Sequence, residues 1–186
     1  MSNILFTTNR LTIRNLKDSD LEDFYQYRSK PEIAKYQGFD PFSREQAGNF
    51  ISVQKEKVFG TPGEWMQFGV ELSDTRQLVG DCAIHLRKEN PLIAELGITI
   101  SDLYQRRGYA KETMSGLMDF LFGKKKVHRI VETVDTENEA SIHLLKSLSF
   151  RQEAHFINSV FFKGKWGSEF QFALLQNEWL ERETLK

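Results

Sequence analysis

The run Gln105-Arg106-Arg107-Gly108-Tyr109-Ala110-Lys111 gathers residue types suited to holding an anion. It follows the strand-like stretch Ile93–Ile100 and opens a segment of helical periodicity, Tyr109 to Phe122. A helix that begins just past Gly108 presents backbone N–H groups with no partner inside the helix and with partial positive charge. Gly108 and Ala110 leave that backbone open to close approach, and Arg106 and Arg107 add charge beside it. The arrangement suits a phosphate or pyrophosphate cradle. It equally suits a strand-to-helix turn that needs a small residue for its geometry. No G-x-G-x-x-G follows a strand and no G-x-x-x-x-G-K-[ST] occurs, so the dinucleotide-binding Rossmann unit and the P-loop are excluded.

Other reactive residue types carry less. His85, His128, His143 and His155 share no metal-ligand spacing, and no metal site is expected. Cys82, the single cysteine, rules out an internal disulfide framework and a Cys-cluster zinc site. It sits between Asp81 and Ala83 with no basic neighbour, as a packed thiol does and a nucleophile does not. Lys124-Lys125-Lys126 and Arg129 follow the helix after the loop, where cations complement a helix C-terminus.

Positioning these residues falls to elements readable from pattern. Leu11-Thr12-Ile13-Arg14 alternates like a short strand. Ser19 with Glu22, Ser43 with Gln46, and Thr136 with Glu139 have the spacing of helix-starting capping boxes. Strand-like runs cover Met66 to Leu72, Leu78 to Leu86, Ile93 to Ile100 and Ile130 to Val134. Two long strands, Gln152 to Phe162 and Ser168 to Leu175, flank the turn Lys163-Gly164-Lys165, and a short helix follows from Asn177 to Glu183. The expected fold is α/β, a mixed α+β sheet of about seven strands with helices on both faces. It is mostly antiparallel, with one central parallel pair made by a right-handed crossover from Ile93 to Val134.

The chain has 186 residues, which suits a single domain spanning 1–186 and a core that buries about 70% of the unfolded surface. Hydrophobic residues at 40% and charged residues at 27% exclude a disordered chain. With 25 basic and 26 acidic side chains the net charge is −1, which gives no support to nucleic acid binding. No apolar run approaches a membrane span, and Met1 to Arg14 lacks the pattern of a signal peptide, so a cytoplasmic location is expected.

The hexapeptide Gln105-Arg106-Arg107-Gly108-Tyr109-Ala110 resembles the Q/R-x-x-G-x-G/A motif with which the GNAT superfamily of N-acetyltransferases holds the pyrophosphate of acetyl-CoA. Ala94-Glu95-Leu96-Gly97 resembles the strand just before that motif. Asn138-Glu139-Ala140-Ser141 with Leu148-Ser149-Phe150 resembles the superfamily's N-x-x-S…L-G-F helix, with Ser149 in place of glycine. Thr8 to Arg14, Asp18-Ser19-Asp20 and the closing Gly164-Lys165-Trp166 hairpin are similar to the branch containing the ribosomal-protein N-terminal acetyltransferases. Ile98 stands where an aromatic residue is usual.

The resemblance implies a GNAT-like fold and acetyl-CoA as cosubstrate, with no metal. It implies that Ile98 and Ile100 pair with the pantetheine arm through their backbone and that Asn138 bonds it. Gln105, Arg106, Gly108, Tyr109 and Ala110 would hold the pyrophosphate. Ser141, one turn into its helix and on the face of Asn138, would protonate the CoA sulfur. Glu95 is the expected base, or else a structural carboxylate, with Glu132 and Asp135 as weaker alternatives. The acceptor is a primary amine. A protein or peptide α-amine leads, because its pKa near 8 asks less of a base than the 10.4 or so of lysine. A polyamine or aminoglycoside follows, and a non-catalytic acyl-CoA sensor is the rival outside enzymology. Phe39, Phe42, Phe161, Phe162 and Trp166 suit an acceptor groove, the core or a homodimer contact equally.

Overall fold

Alternation along the strands gives the sheet two unlike faces, one apolar and one carrying buried charge. The computed structural model describes residues 4–184; Met1–Asn3, part of the opening stretch in which no signal peptide was expected, and residues 185 and 186 lie outside the described residues. The strands are β1 (Ile4–Thr7), β2 (Leu11–Asn15), β3 (Trp65–Leu72), β4 (Leu78–Leu86), β5 (Ile93–Ile100), β6 (Arg129–Asp135), β7 (Arg151–Phe162) and β8 (Lys165–Leu175). They form one sheet in the order β1-β2-β3-β4-β5-β6-β8-β7. Only β5 and β6 run parallel. The described sheet thus has eight strands rather than about seven. The extra one, β1, has no alternation of its own. It forms because β2 offers a free edge and Phe6 stacks on Phe120 at 5.8 Å.

The helices are α1 (Leu21–Arg28), α2 (Pro31–Ala34), α3 (Arg44–Glu56), α4 (Tyr109–Met118), α5 (Glu139–Ser147) and α6 (Gln176–Thr184), with a π turn over Asp119–Lys124 extending α4. The capping box of α3 forms as expected: Ser43 Oγ accepts the Gln46 N–H at 3.1 Å, and Gln46 Oε1 accepts the Ser43 N–H at 2.7 Å. The other two boxes do not form. Before α1, Asp20 rather than Ser19 bonds the backbone, accepting the Lys17 N–H at 2.9 Å, because the Arg14 guanidinium holds its carboxylate in place. At α5, Asp135 takes the Glu137 N–H at 2.7 Å, and this turn moves the cap from Thr136 to Asn138. Asn138 Oδ1 accepts the Ser141 N–H at 3.2 Å.

The end of α5 shows how the chain manages without the family's glycine. Ser149 adopts φ 68°, the left-handed region. The Ser149 N–H reaches Lys146 O at 3.0 Å and the Phe150 N–H reaches Leu145 O at 3.1 Å, a complete Schellman cap. The turn is therefore as tight as glycine would make it, at a steric cost of about 1 kcal/mol.

On one face Leu11, Ile13, Phe68, Val70, Ile84 and Leu96 pack against α4 and α5 through Met114, Leu117, Ile142 and Leu145. Cys82 belongs to this core, and burial followed by the nearby Asp81 charge pushes its thiol well up. On the other face α1 and α3 cover Leu16 and Leu78 with Phe24, Tyr27, Ala47 and Ile51. Beneath them lies Asp81, fully buried, which accepts from Tyr27 Oη at 2.6 Å, from the Arg28 guanidinium and from Gln67 Nε2. Arg28 also lies over the Phe39 ring at 4.0 Å. Phe39 and Phe42 thus serve this ionic core. Phe161 and Trp166 pair with each other on the outside of the hairpin, each 62% exposed.

Asp81→Ala strands a buried guanidinium, and chemical denaturation is expected to show a loss of about 3–5 kcal/mol. Ser149→Gly is expected to gain about 0.5–1 kcal/mol in the same measurement by removing the left-handed strain.

Candidate active site

The parallel pair is short. β5 and β6 register only at Ile93 with Arg129 and Ala94 with Ile130, and then the strands part. The next N–H on that edge, Leu96, is taken at 2.7 Å by Oε1 of Glu132, reaching across from β6. Backbone groups of a strand alternate between its two edges. The Ser101 N–H bonds Val79 O of β4 at 2.9 Å, so odd-numbered N–H groups face β4 and even-numbered ones face the fork. Ile98 and Ile100 therefore present their backbone to the open edge. Their carbonyls are met there by side-chain amides: Gln37 Nε2 donates to Ile98 O at 3.4 Å and Gln105 Nε2 to Ile100 O at 3.0 Å. Two residues expected to pair with a ligand arm thus lie on an edge that no neighbouring strand pairs and that side-chain amides meet instead.

The mouth of the fork opens into a cavity of about 680 Å³ lined by Ile100, Gln105, Gly108, Ala110, Asn138 and Ser141 among others. Arg106 (φ 60°) and Gly108 (φ 82°) both turn left-handed to bring the chain into α4. The first intrahelical bond runs from the Glu112 N–H to Gly108 O at 3.0 Å, so the Tyr109, Ala110 and Lys111 N–H groups precede it. No side chain caps them. A Cβ on Gly108 would lie 3.3 Å from Arg10 Nη2. The loop and helix start meet the requirements of a pyrophosphate: open backbone donors, a helix dipole and no obstructing side chain.

Arg10, which the sequence places only in the opening Thr8–Arg14 stretch, braces this loop. Its Nε donates to Glu112 at 2.7 Å, its Nη1 donates to Arg107 O at 3.1 Å, and its guanidinium lies 4.6 Å over the Tyr109 ring. Burial alone would raise the Glu112 carboxyl, but bonds from Thr8 and Arg10 override it and hold the pKa below the ordinary value. Lys30 binds Asp102 at 2.6 Å, tying the α1–α2 corner to the loop after β5.

Deeper in the fork lies a second cavity of about 210 Å³. Ile98, Asn138, Ser141 and Leu144 border both spaces. Glu132, Asp135 and Glu169 line the inner one, and among the described residues no Lys, Arg or His does. Tyr36, Gln37 and Gly38 lie on its α2 side. That wall is pinned across the cleft. Tyr36 Oη donates to Glu137 O at 3.1 Å, and Lys163 Nζ donates to Ala34 O at 2.7 Å and Phe39 O at 2.8 Å.

Ser141 and Glu95 do not share this space. Glu95 lines neither cavity, and Arg87 Nε donates to its carboxylate at 2.7 Å. His85 Nδ1 lies 3.8 Å from its other oxygen, and His85 stacks on Trp65 at 5.1 Å. Glu132, by contrast, is 9% exposed. Burial, and secondarily the Glu95 charge, push its carboxyl well above the ordinary range against the opposing Leu96 N–H bond. Among the described residues no helix is long and apolar enough to cross a membrane, and no group of three His, Cys, Asp or Glu could hold a metal.

Comparison with known proteins gives the family. Residues 10–151 match the family model described as an acetyltransferase (GNAT) domain. The chain is 30% identical over 173 residues to the uncharacterised N-acetyltransferase p20 of Bacillus licheniformis, covering 92% of this chain and 96% of that one. It is 22% identical over 188 residues to the [ribosomal protein uS5]-alanine N-acetyltransferase of Escherichia coli, covering 95% and 93%. A GNAT-family acetyltransferase structure from Bacillus anthracis superposes with a TM-score of 0.82 at 27% identity, covering 96% of this chain and all of that one. The spermidine N-acetyltransferase of Vibrio cholerae, in complex with CoA and spermine, superposes at 0.75 with 22% identity, covering 93% and 99%. The chain belongs to the GNAT family and is an N-acetyltransferase.

A Gly108→Asp variant puts a carboxylate where the phosphate charge would sit. With its circular dichroism and melting unchanged, it is expected to show no acetyl-CoA binding by calorimetry.

Proposed function

We propose that the chain moves the acetyl group of acetyl-CoA to the α-amine of a protein or peptide N-terminus. One observation carries the reading: the even-numbered edge of β5, which no strand pairs beyond Ala94, runs from the helix start after Gly108 to a small acid-lined cavity, with Ser141 on the border of both spaces. Acetyl-CoA supplies a thioester, an acyl group activated toward an amine.

In this reading Gly108, Tyr109 and Ala110 bind through backbone N–H groups, and Arg106 adds charge. Gln105 steadies the loop by bonding Ile100 O, a positioning role rather than a ligand's. The backbone of Ile98 and Ile100 orients the pantetheine arm. Asn138 uses its oxygen to cap α5, which leaves its amide NH₂ to bond that arm. Ser141 holds the proton that the sulfur receives. Glu95, the first choice for the base, is better explained as the partner of Arg87.

A specific observation favours a second acceptor class. Among the described residues three carboxylates and no cation line the inner cavity, and Asp135 and Glu169 stand directly opposite each other in the β6–β8 ladder. Such a wall attracts any cationic amine, a polyamine included.

The test is calorimetric titration with acetyl-CoA and CoA, then turnover across N-terminal peptides, polyamines and aminoglycosides. Micromolar binding with highest kcat/KM on peptides supports the reading. Highest kcat/KM on polyamines favours the second class, and binding without turnover on any amine makes the chain an acyl-CoA sensor. Ser141→Ala is expected to lower kcat about a hundredfold with acetyl-CoA affinity kept; unchanged kcat removes Ser141 from the proton path.

A further inference from the structure

We propose that Glu132 is the base that takes the proton from the acceptor ammonium. This deepens the function proposed above and rests on it. Three observations meet at this side chain. It lies on β6 at the point where β5 and β6 part, in the wall of the inner cavity that Ser141 also borders. It is nearly fully buried, yet among the described residues no Arg or Lys pairs with it or lines its cavity. One carboxylate oxygen is fixed by the Leu96 N–H at 2.7 Å, which sets the orientation of the group while leaving the second oxygen as acceptor.

A structural explanation falls short. A side chain needed only to satisfy Leu96 N–H could be a neutral amide, which accepts the same hydrogen bond without burying a carboxyl. Besides Glu132, the charged groups lining the inner cavity are acidic: Asp135 on its own strand and Glu169 from β8, with the Tyr36 phenol on the α2 side, while Glu95 on β5 lies outside the cavity and is paired with Arg87. They draw an ammonium in and make a proton welcome on the carboxylate. The raised proton affinity of Glu132 brings it toward that of an amine, which is what proton transfer requires.

The step balances. The ammonium N–H bond breaks and its proton passes to Glu132. The freed nitrogen lone pair forms the C–N bond at the thioester carbonyl carbon as the C–S bond breaks, and the departing sulfur takes a proton from the Ser141 hydroxyl. The acetylated nitrogen then gives up its second proton, which restores the Ser141 hydroxyl, and Glu132 releases the first proton to solvent.

The position also predicts a cost in stability. A carboxyl with a raised pKa holds a proton in the folded chain that the unfolded chain releases. Stability therefore falls as pH rises from the ordinary glutamate range toward the folded-state value. Glu132→Gln keeps the acceptor for Leu96 N–H and removes that penalty.

The test compares wild type, Glu132→Gln and Glu95→Gln in three measurements. For Glu132→Gln we expect acetyl-CoA affinity within about twofold of wild type, kcat lower by about a hundredfold or more, and loss of the acidic limb of the kcat/KM pH profile. We also expect it to melt above wild type near neutral pH and to lose that advantage in acid. Glu95→Gln is expected to keep most of its turnover. Wild-type turnover in Glu132→Gln, or lower melting at neutral pH together with an unshifted pH profile, overturns the assignment. Wild-type protein that binds no acetyl-CoA overturns the function proposed above, and the assignment with it.

Discussion

The structure depends on two strands failing to stay together. β5 and β6 begin as a parallel pair, and after Ala94 and Ile130 they separate. An open strand edge inside a protein is a liability, since every unpaired N–H and C=O must find a partner or cost free energy. Here the edge is managed residue by residue: Glu132 takes Leu96 N–H, Gln37 meets Ile98 O, and Gln105 meets Ile100 O. These partners are side chains rather than a neighbouring strand. A ligand with its own amides can replace side chains far more cheaply than it can peel off a strand.

The parting of the strands needs support from outside the fork. β6 is held on its far side by a seven-residue ladder to β8. β5 is held by an equally long ladder to β4. Beneath β4 the Asp81 network fixes α1 through Tyr27 and Arg28, and α1 in turn leads into the α2 segment that walls the cleft. Lys30 with Asp102 and Lys163 with the Ala34 and Phe39 carbonyls lock that wall to both sides of the opening. The buried charge far from the chemistry thus acts through rigid elements on the shape of the site.

Much of the architecture was legible because it follows local rules. Period-two alternation located β2, strand-like runs bounded by turn residues located β3 to β5, a short buried-type run located β6, the Ser43–Gln46 box located α3, and Gly108 before a periodic segment located α4. What local rules misplaced are features settled by partners distant in sequence. β1 exists because β2 lends it an edge, and Asp20 replaces Ser19 because Arg14 and Glu71 hold the neighbourhood. Asn138 replaces Thr136 at the cap because Asp135 closes the turn first.

The sequence by itself carried the likeness to the family, the helix start after Gly108 and the strand that precedes it. Those depend on backbone conformation within a few residues, which glycine, helix start signals and strand periodicity dictate directly. It ranked Glu95 above Glu132, since nothing along the chain tells which of two carboxylates on neighbouring strands meets a cation in the fold. Only the tertiary structure decided that Arg87 lies beside Glu95 while Glu132 stands buried without a cation at the point where the strands part. The proton affinity of a carboxyl is set by burial and by what faces it, and both are properties of the folded chain.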